Sequence, residues 1–304
     1  MTIQEMQQKI LQLKQENDIC ILAHSYQRRE ITEVADFTGD SYALAKQAQN
    51  VSNKTVILCG VRFMADTVKI LSPEKTVILP MAEATCPMAE QIDPARVLAY
   101  KKEHPDHKVV AYVNTTTELK AVADVCVTSS SALKIVSNLE EKNILFIPDK
   151  NLGSFIQKQL PEKNIVLWDG YCPVHNAVTI DECKAAISLH PNAKVLMHPE
   201  LPAEVLKFAD VIGSTADIIR HALDSEEDCI IGTENAVRNY LAQMRPDKQF
   251  YLLSKGLICP DMRMTTLTDV YHAMLGQGGQ KICLDEEVRL KAKHAIDEMI
   301  RLGR

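Results

Sequence analysis

The stretch ADVIGST, residues 209–215, has two counterparts in the chain: ADFTGDS at 35–41 and ADVCVTSS at 123–130. Each places a hydroxyl five residues after its aspartate, giving the pairs Asp36 and Ser41, Asp124 and Ser129, and Asp210 and Thr215. Twelve residues before the aspartates stand His24, Tyr112 and His198, which end the apolar runs ICILAH, VVAY and KVLMH. The dipeptide Cys-Pro follows the aspartates by 50, 48 and 49 residues, at Cys86, Cys172 and Cys259. The linkers HPDHKVV from His104 and HPNAKVL from His190 also match. Four markers repeating in phase identify a triplicated chain.

Within each repeat, short apolar strands alternate with helical patterns. In the first, strands near 19–23, 56–60 and 76–80 are separated by stretches such as SYALAKQAQN. The second offers ILFIPD and IVLWDG, and the third CIIGTE and FYLLSK. This βαβαβαβ reading implies parallel sheets joined by crossover helices. The expected fold is α/β: three homologous three-layer αβα domains in a pseudo-threefold arrangement around a central site. Their bounds are 1–104 with an N-terminal helix, 105–190, and 191–304 with a C-terminal helix. Ile3, Met6, Ile10 and Leu13 carry helical spacing at one end of the chain. Val288, Ala295, Met299 and Leu302 do so at the other, after Asp285 as N-cap.

Composition narrows the function. With 304 residues, 46% hydrophobic, the chain can bury a large core. A net charge of −6 without blocks of like charge disfavours nucleic acid and acidic membranes as partners. The start MTIQEMQQKI lacks a signal-peptide pattern, and no apolar run approaches the ~20 residues of a membrane span. The expected location is cytoplasmic, where nine cysteines are thiols rather than disulfides. No C-x-x-C occurs, which argues against zinc ribbons and thioredoxin-like pairs.

Parallel α/β sheets gather their functional residues beyond the carboxyl ends of strands. The polar residues that close the first strands are His24 and Tyr26, Tyr112 and Asn114, and His198 and Glu200. Ser41, Ser129 and Thr215 stand at the next junctions, where a hydroxyl is by default a helix N-cap worth about 1 kcal/mol. Three helix N-termini in phase suit a multiply anionic ligand. His175, three residues past Cys172, is a candidate for the same pocket.

Proline biases the residue before it toward extended backbone and brings no N–H, so each Cys-Pro thiol sits at a stiff corner. Cys20, Cys59, Cys126, Cys183, Cys229 and Cys283 are expected to be small buried hydrophobes. Three equivalent corner thiolates can hold zinc or an iron–sulfur cluster. Wide spacing favours the cluster, since structural zinc wants a fourth protein ligand, often in closely spaced pairs. Three ligands for four irons leave one iron open as a Lewis acid, which suits a dehydratase or lyase acting on a small anion.

Taken in order, AHSYQ, ADFTGDS, GVRFMAD, ATCPMAE, AYVNTT, VTSSSA, GYCPVH, MHPE, GST, IGTE and CPDM resemble the quinolinate synthase family, from about residue 18 to 275. The resemblance implies three αβα domains around a [4Fe-4S] cluster. It implies condensation of iminoaspartate (iminosuccinate) with dihydroxyacetone phosphate to quinolinate, with loss of phosphate and water, on the way to NAD. The cluster ligands would be Cys86, Cys172 and Cys259. Substrate would be bound by His24, Ser41, Tyr112, Asn114, Ser129, His175, His198, Glu200 and Thr215. Glu200, Tyr26, His24 and His198 would serve the proton transfers. A functional link to L-aspartate oxidase, or another iminoaspartate source, follows.

Two departures stand out. Leu201 occupies a position that is cysteine in many relatives, and PDMRM after Cys259 lacks the C-x-x-C run that some carry. Neither touches the implied chemistry. Two other readings compete: a diphthamide-synthesis-like enzyme, with one cluster cysteine per domain and S-adenosylmethionine as co-substrate, and a non-catalytic iron–sulfur sensor.

Overall fold

The computed structural model describes residues 1–303. Thirteen strands are present among them: β1 (Ile19–His24), β2 (Phe37–Gly39), β3 (Thr55–Cys59), β4 (Thr76–Leu79), β5 (Lys108–Tyr112), β6 (Val125–Val127), β7 (Asn143–Ile147), β8 (Asn164–Leu167), β9 (Lys194–Met197), β10 (Val211–Ile212), β11 (Cys229–Gly232), β12 (Phe250–Leu252) and β13 (Gln280–Lys281). They form three sheets, in the orders β13-β4-β3-β1-β2, β6-β5-β7-β8 and β10-β9-β11-β12. The fold is α/β with parallel-dominated sheets, as the alternating pattern predicts. Each sheet repeats one order, second-first-third-fourth, and all strand pairs are parallel except β13 with β4.

The chain divides into two compact units. Met1–Cys86 with Cys259–Lys293 forms one, and Pro87–Ile258 with the residues from His294 onward forms the other.

The first unit holds the first sheet. All six residues of β1 are buried, the mark of a strand covered on both faces. Ile10 of the helix Ile3–Glu16 and Val270 of the helix Leu267–Met274 pack with Ile19, Ile21 and Ile57 in one apolar cluster. Burying each such side chain contributes about 1.5–3 kcal/mol. Gln280 and Lys281, which carry no strand signal in sequence, pair antiparallel with Leu79 and Ile78.

The second unit holds the other two sheets. Val195, Met197 and Ile230 form the centre of a cluster that includes Leu201, fully buried. The leucine at this departure from the family pattern is therefore a core residue.

The repeated aspartates have a structural task. Oδ2 of Asp36, Asp124 and Asp210 accepts from the N–H of Ile21, Val109 and Val195, each at 2.7 Å. Each carboxylate thereby ties the entry of one strand to its neighbour. A second triplet does the same for helix ends. Lys75 donates to the carbonyls of Val51 and Asn53, Lys163 to those of Leu139 and Glu141, and Lys248 to those of Ala222 and Ser225. These ammonium groups satisfy carbonyls left open at helix C-termini, where cations are favoured.

Candidate active site

The order second-first-third-fourth reverses direction between the first and third strands, and the carboxyl ends of strands at such a reversal are where parallel α/β sheets place their functional residues. In the second unit, β5 ends in Tyr112 and β9 runs into His198 and Glu200.

Glu200 is buried, and its carboxylate is held from two sides. Oε1 accepts a 2.7 Å hydrogen bond from the Tyr112 hydroxyl. Oε2 lies 3.0 Å from Nδ1 of His175, and His198 Nδ1 is 4.0 Å from Oε1. His175 Nδ1 is also 3.3 Å from Cys172 Sγ, while its Nε2 is 3.2 Å from the Thr233 hydroxyl. Tyr112, Cys172, His175, His198 and Glu200 thus stand together. Cys172, His175 and Glu200 each present a ligand atom within 4.8 Å of the others.

The charges follow from this geometry. Burial alone pushes the Glu200 carboxyl up, but the neighbouring His175 and His198, with hydrogen bonds from His175 and Tyr112, outweigh it. The carboxyl is held low, at about 2. Burial lowers His198 to about 4, so its imidazole is neutral near pH 7.

Two residues outside the sequence-based set support the group. Asp149 is fully buried; Oδ1 caps the helix Lys150–Gln159 at the N–H of Leu152, 2.7 Å, and Oδ2 accepts from the N–H of Cys172, 3.2 Å. Burial, then the Glu200 charge, pushes this carboxyl up to about 8. Asn151 donates to the Glu200 carbonyl at 2.9 Å and to Asn176 Oδ1 at 3.0 Å. Gly170 lets the loop before Cys172 close on this segment, because a Cβ there would stand 2.5 Å from the Pro148 carbonyl. The run ILFIPDKN carried the same signal as the selected sites, an apolar strand ending in polar residues.

In the first unit, His24 and Tyr26 meet edge-to-face, ring centroids 4.4 Å apart. His24 Nδ1 accepts from the N–H of Tyr26 at 3.1 Å, and burial lowers the imidazole to about 3. Glu200 N–H makes the equivalent 3.3 Å bond to His198 Nδ1. Gln27 reaches the Met262 carbonyl at 2.7 Å, linking this turn to the helix Pro260–Met264 that follows Cys259.

The junction hydroxyls do not cap as expected. Asp40 caps Ala43 and Ser214 caps Asp217, so Ser41 and Thr215 are first helical residues. Ser129 lies in a half-buried turn, and Ser131 occupies the N-cap position of the helix Ala132–Asn138. Asn114 is half-buried beyond β5. Glu234 caps its own helix through the N–H of Ala236, 2.6 Å.

The cysteines separate by exposure. Cys86, Cys172 and Cys259 are half-buried, while Cys20, Cys59, Cys126, Cys183 and Cys229 are buried. Cys283, expected to be buried, is exposed because it lies past β13, between that edge strand and the last helix. Cys172 and Cys259 are extended N-cap residues before a proline at the first helical position, the stiff corners inferred from sequence.

The model of the family described as "Quinolinate synthetase A protein" matches residues 8–301. The chain belongs to the quinolinate synthase family. A quinolinate synthase of Caldicellulosiruptor bescii is 45% identical over the full length of both chains. Those of Clostridium kluyveri and Clostridium perfringens are 44% and 45% identical, over 97% and 98% of this chain. The family is one of enzymes, and its match spans all three sheets. Among the described residues no helix is long and apolar enough to cross a membrane.

Proposed function

We propose that the chain condenses iminoaspartate with dihydroxyacetone phosphate to quinolinate, releasing phosphate and water, as a cytoplasmic step toward NAD. Three repeat domains, 1–104, 105–190 and 191–304, would carry it, and the recurring strand order supports that division. The observation that carries the reading is the Glu200 carboxylate, ionised between the Tyr112 phenol and His175.

Cys86, Cys172 and Cys259 fit a [4Fe-4S] cluster as a donor set. They are thiols at equivalent repeat positions, half-buried where the other internal cysteines are closed off. When bound, such a cluster supplies an open iron that acts as a Lewis acid.

The chain's own residues do the rest. Glu200, ionised at neutral pH, accepts protons from a substrate carbon or hydroxyl, and Tyr112 stabilises it through the bond to Oε1. His24 and His198, neutral because they are buried, bind as donors or acceptors rather than as cations. Tyr26, beside His24, returns a proton. Ser41, Asn114, Ser129, His175 and Thr215 complete the substrate set, with helix N-termini at Ser41 and Thr215 favouring carboxylates. An L-aspartate oxidase, or another source of iminoaspartate, would supply the unstable imine.

The test is an anaerobic preparation with iron and sulfide counted, then given both substrates. About four irons per chain and formation of quinolinate are expected. A cluster-loaded chain that makes no quinolinate from them would overturn the reading.

A further inference from the structure

The group formed by Cys172, His175 and Glu200 has a chemistry of its own, independent of any cluster. All three belong to the second unit. Cys172 precedes the helix Pro173–Asn176, which carries His175 one turn on, and Glu200 follows β9. Nδ1 of His175 is 3.3 Å from Sγ and 3.0 Å from Oε2. Zinc bonded at about 2.0–2.3 Å spaces neighbouring tetrahedral ligands about 3.4–3.6 Å apart, so the two pairs that share His175 need only a few tenths of an ångström of adjustment, and a side-chain rotation brings Cys172 and Glu200, within 4.8 Å, to the same spacing.

The outer partners that a zinc ligand needs are already in place. Thr233 Oγ1, at 3.2 Å, can take the Nε2–H of His175 once Nδ1, which donates to Glu200 in the metal-free chain, gives up its proton to bind a metal. Tyr112 holds the other oxygen of Glu200. Such partners orient ligands and raise their basicity. Cys172 is half-buried, and His175 and Glu200 are buried.

We propose that the cluster-free chain binds one zinc-type divalent ion at Cys172, His175 and Glu200, with the fourth position open to water. Binding involves no electron transfer: the thiol proton leaves to solvent as the metal–sulfur bond forms, and the Nδ1 proton of His175 moves to Nε2, or to solvent if Nε2 is already protonated, as the metal–nitrogen bond forms. Mixed N/O/S donor sets hold zinc more tightly than ferrous iron, so zinc wins at equal concentration. A second consequence rests on the cluster reading above. Cys172 cannot ligate both, so zinc at this site blocks cluster assembly.

The test uses the full-length, metal-free chain under anaerobic, reducing conditions, with cobalt(II) as the visible probe and zinc as its competitor. One cobalt per chain is expected, with tetrahedral bands and the charge-transfer intensity of a single thiolate. Zinc should displace it. His175→Gln and Glu200→Gln, each checked for native circular dichroism, should weaken binding at least about tenfold. Cys86→Ser and Cys259→Ser should leave it unchanged. Binding that falls with those two serine variants, or a wild-type spectrum without a thiolate band, overturns the site. The zinc-loaded chain, given iron and sulfide, should develop no cluster absorbance until a chelator removes zinc. Assembly with zinc retained overturns the block alone and leaves the proposed reaction standing. A cluster-loaded enzyme that makes no quinolinate strikes the reaction and leaves the zinc site untouched.

Discussion

The Tyr112 phenol and the Glu200 carboxylate, 88 residues apart and at the ends of first strands in two different sheets, share a 2.7 Å hydrogen bond. Both are buried, so neither partner can be exchanged for water without cost. A hydrogen bond to a charged group contributes about 1.5–3 kcal/mol. Tyr112→Phe should therefore lower kcat by about 10–100-fold. Glu200→Gln keeps the volume and the acceptor oxygen but loses the base, and should lower kcat by about 10²–10⁴-fold. Steady-state quinolinate formation by cluster-loaded variants reads both. Full activity of Glu200→Gln would remove Glu200 from proton transfer.

His24 predicts a pH dependence of stability. Burial lowers its folded value to about 3 from an unfolded 6.5, so between these limits the unfolded chain binds more protons. Stability then rises with pH, and it is lost as pH falls below about 6.5. In His24→Gln that contribution disappears. Urea midpoints of the metal-free chain between pH 7 and 4 should fall more steeply for wild type than for the variant. Parallel curves would mean that His24 takes up its proton as readily in the folded protein as in the unfolded chain.

Lys248 carries a prediction about the fold. Its ammonium group donates to the carbonyls of Ala222, 2.9 Å, and Ser225, 2.6 Å, at the end of the helix Thr215–Asp224. Lys248→Met keeps the apolar stem and leaves both carbonyls without this donor. Loss of about 2–4 kcal/mol is expected, two charged hydrogen bonds less the water that one carbonyl regains. The urea midpoint should drop with the slope unchanged. An unchanged midpoint would show that solvent replaces the ammonium freely.

The triplication was legible because its markers are functional or structural in every copy. Asp36, Asp124 and Asp210 must each take a strand N–H, so the aspartate cannot drift in phase. Strand ends were legible for a similar reason: polar residues interrupt apolar runs only where the chain leaves the sheet. The cap positions were misassigned because Asp40 and Ser41, or Ser214 and Thr215, are equally good formers one residue apart. Only the extended backbone of Asp40 and Ser214 decides between them. The two residues of β13 are set by pairing with β4, a contact about 200 residues away that leaves no local pattern. Asp149 and Asn151 followed the strand-end rule, yet their role depends on reaching Cys172 and Glu200 from another strand.

Asn151 is the sharpest test of that support. Its side-chain amide donates to the Glu200 carbonyl and to Asn176, tying the β9 loop to the short helix after Cys172. Asn151→Ala removes both bonds without touching a carboxylate, an imidazole or a thiol. Each neutral bond contributes about 0.5–1.5 kcal/mol, so stability should fall by about 1–3 kcal/mol. Misplacement of a base by even a fraction of an ångström costs rate more than binding, because the transition state demands alignment that the bound substrate does not. The expected signature is a fall in kcat of about tenfold or more with KM little changed and iron content intact. A rise in KM at constant kcat would show instead that Asn151 shapes ground-state binding and that the Glu200 loop holds its own position.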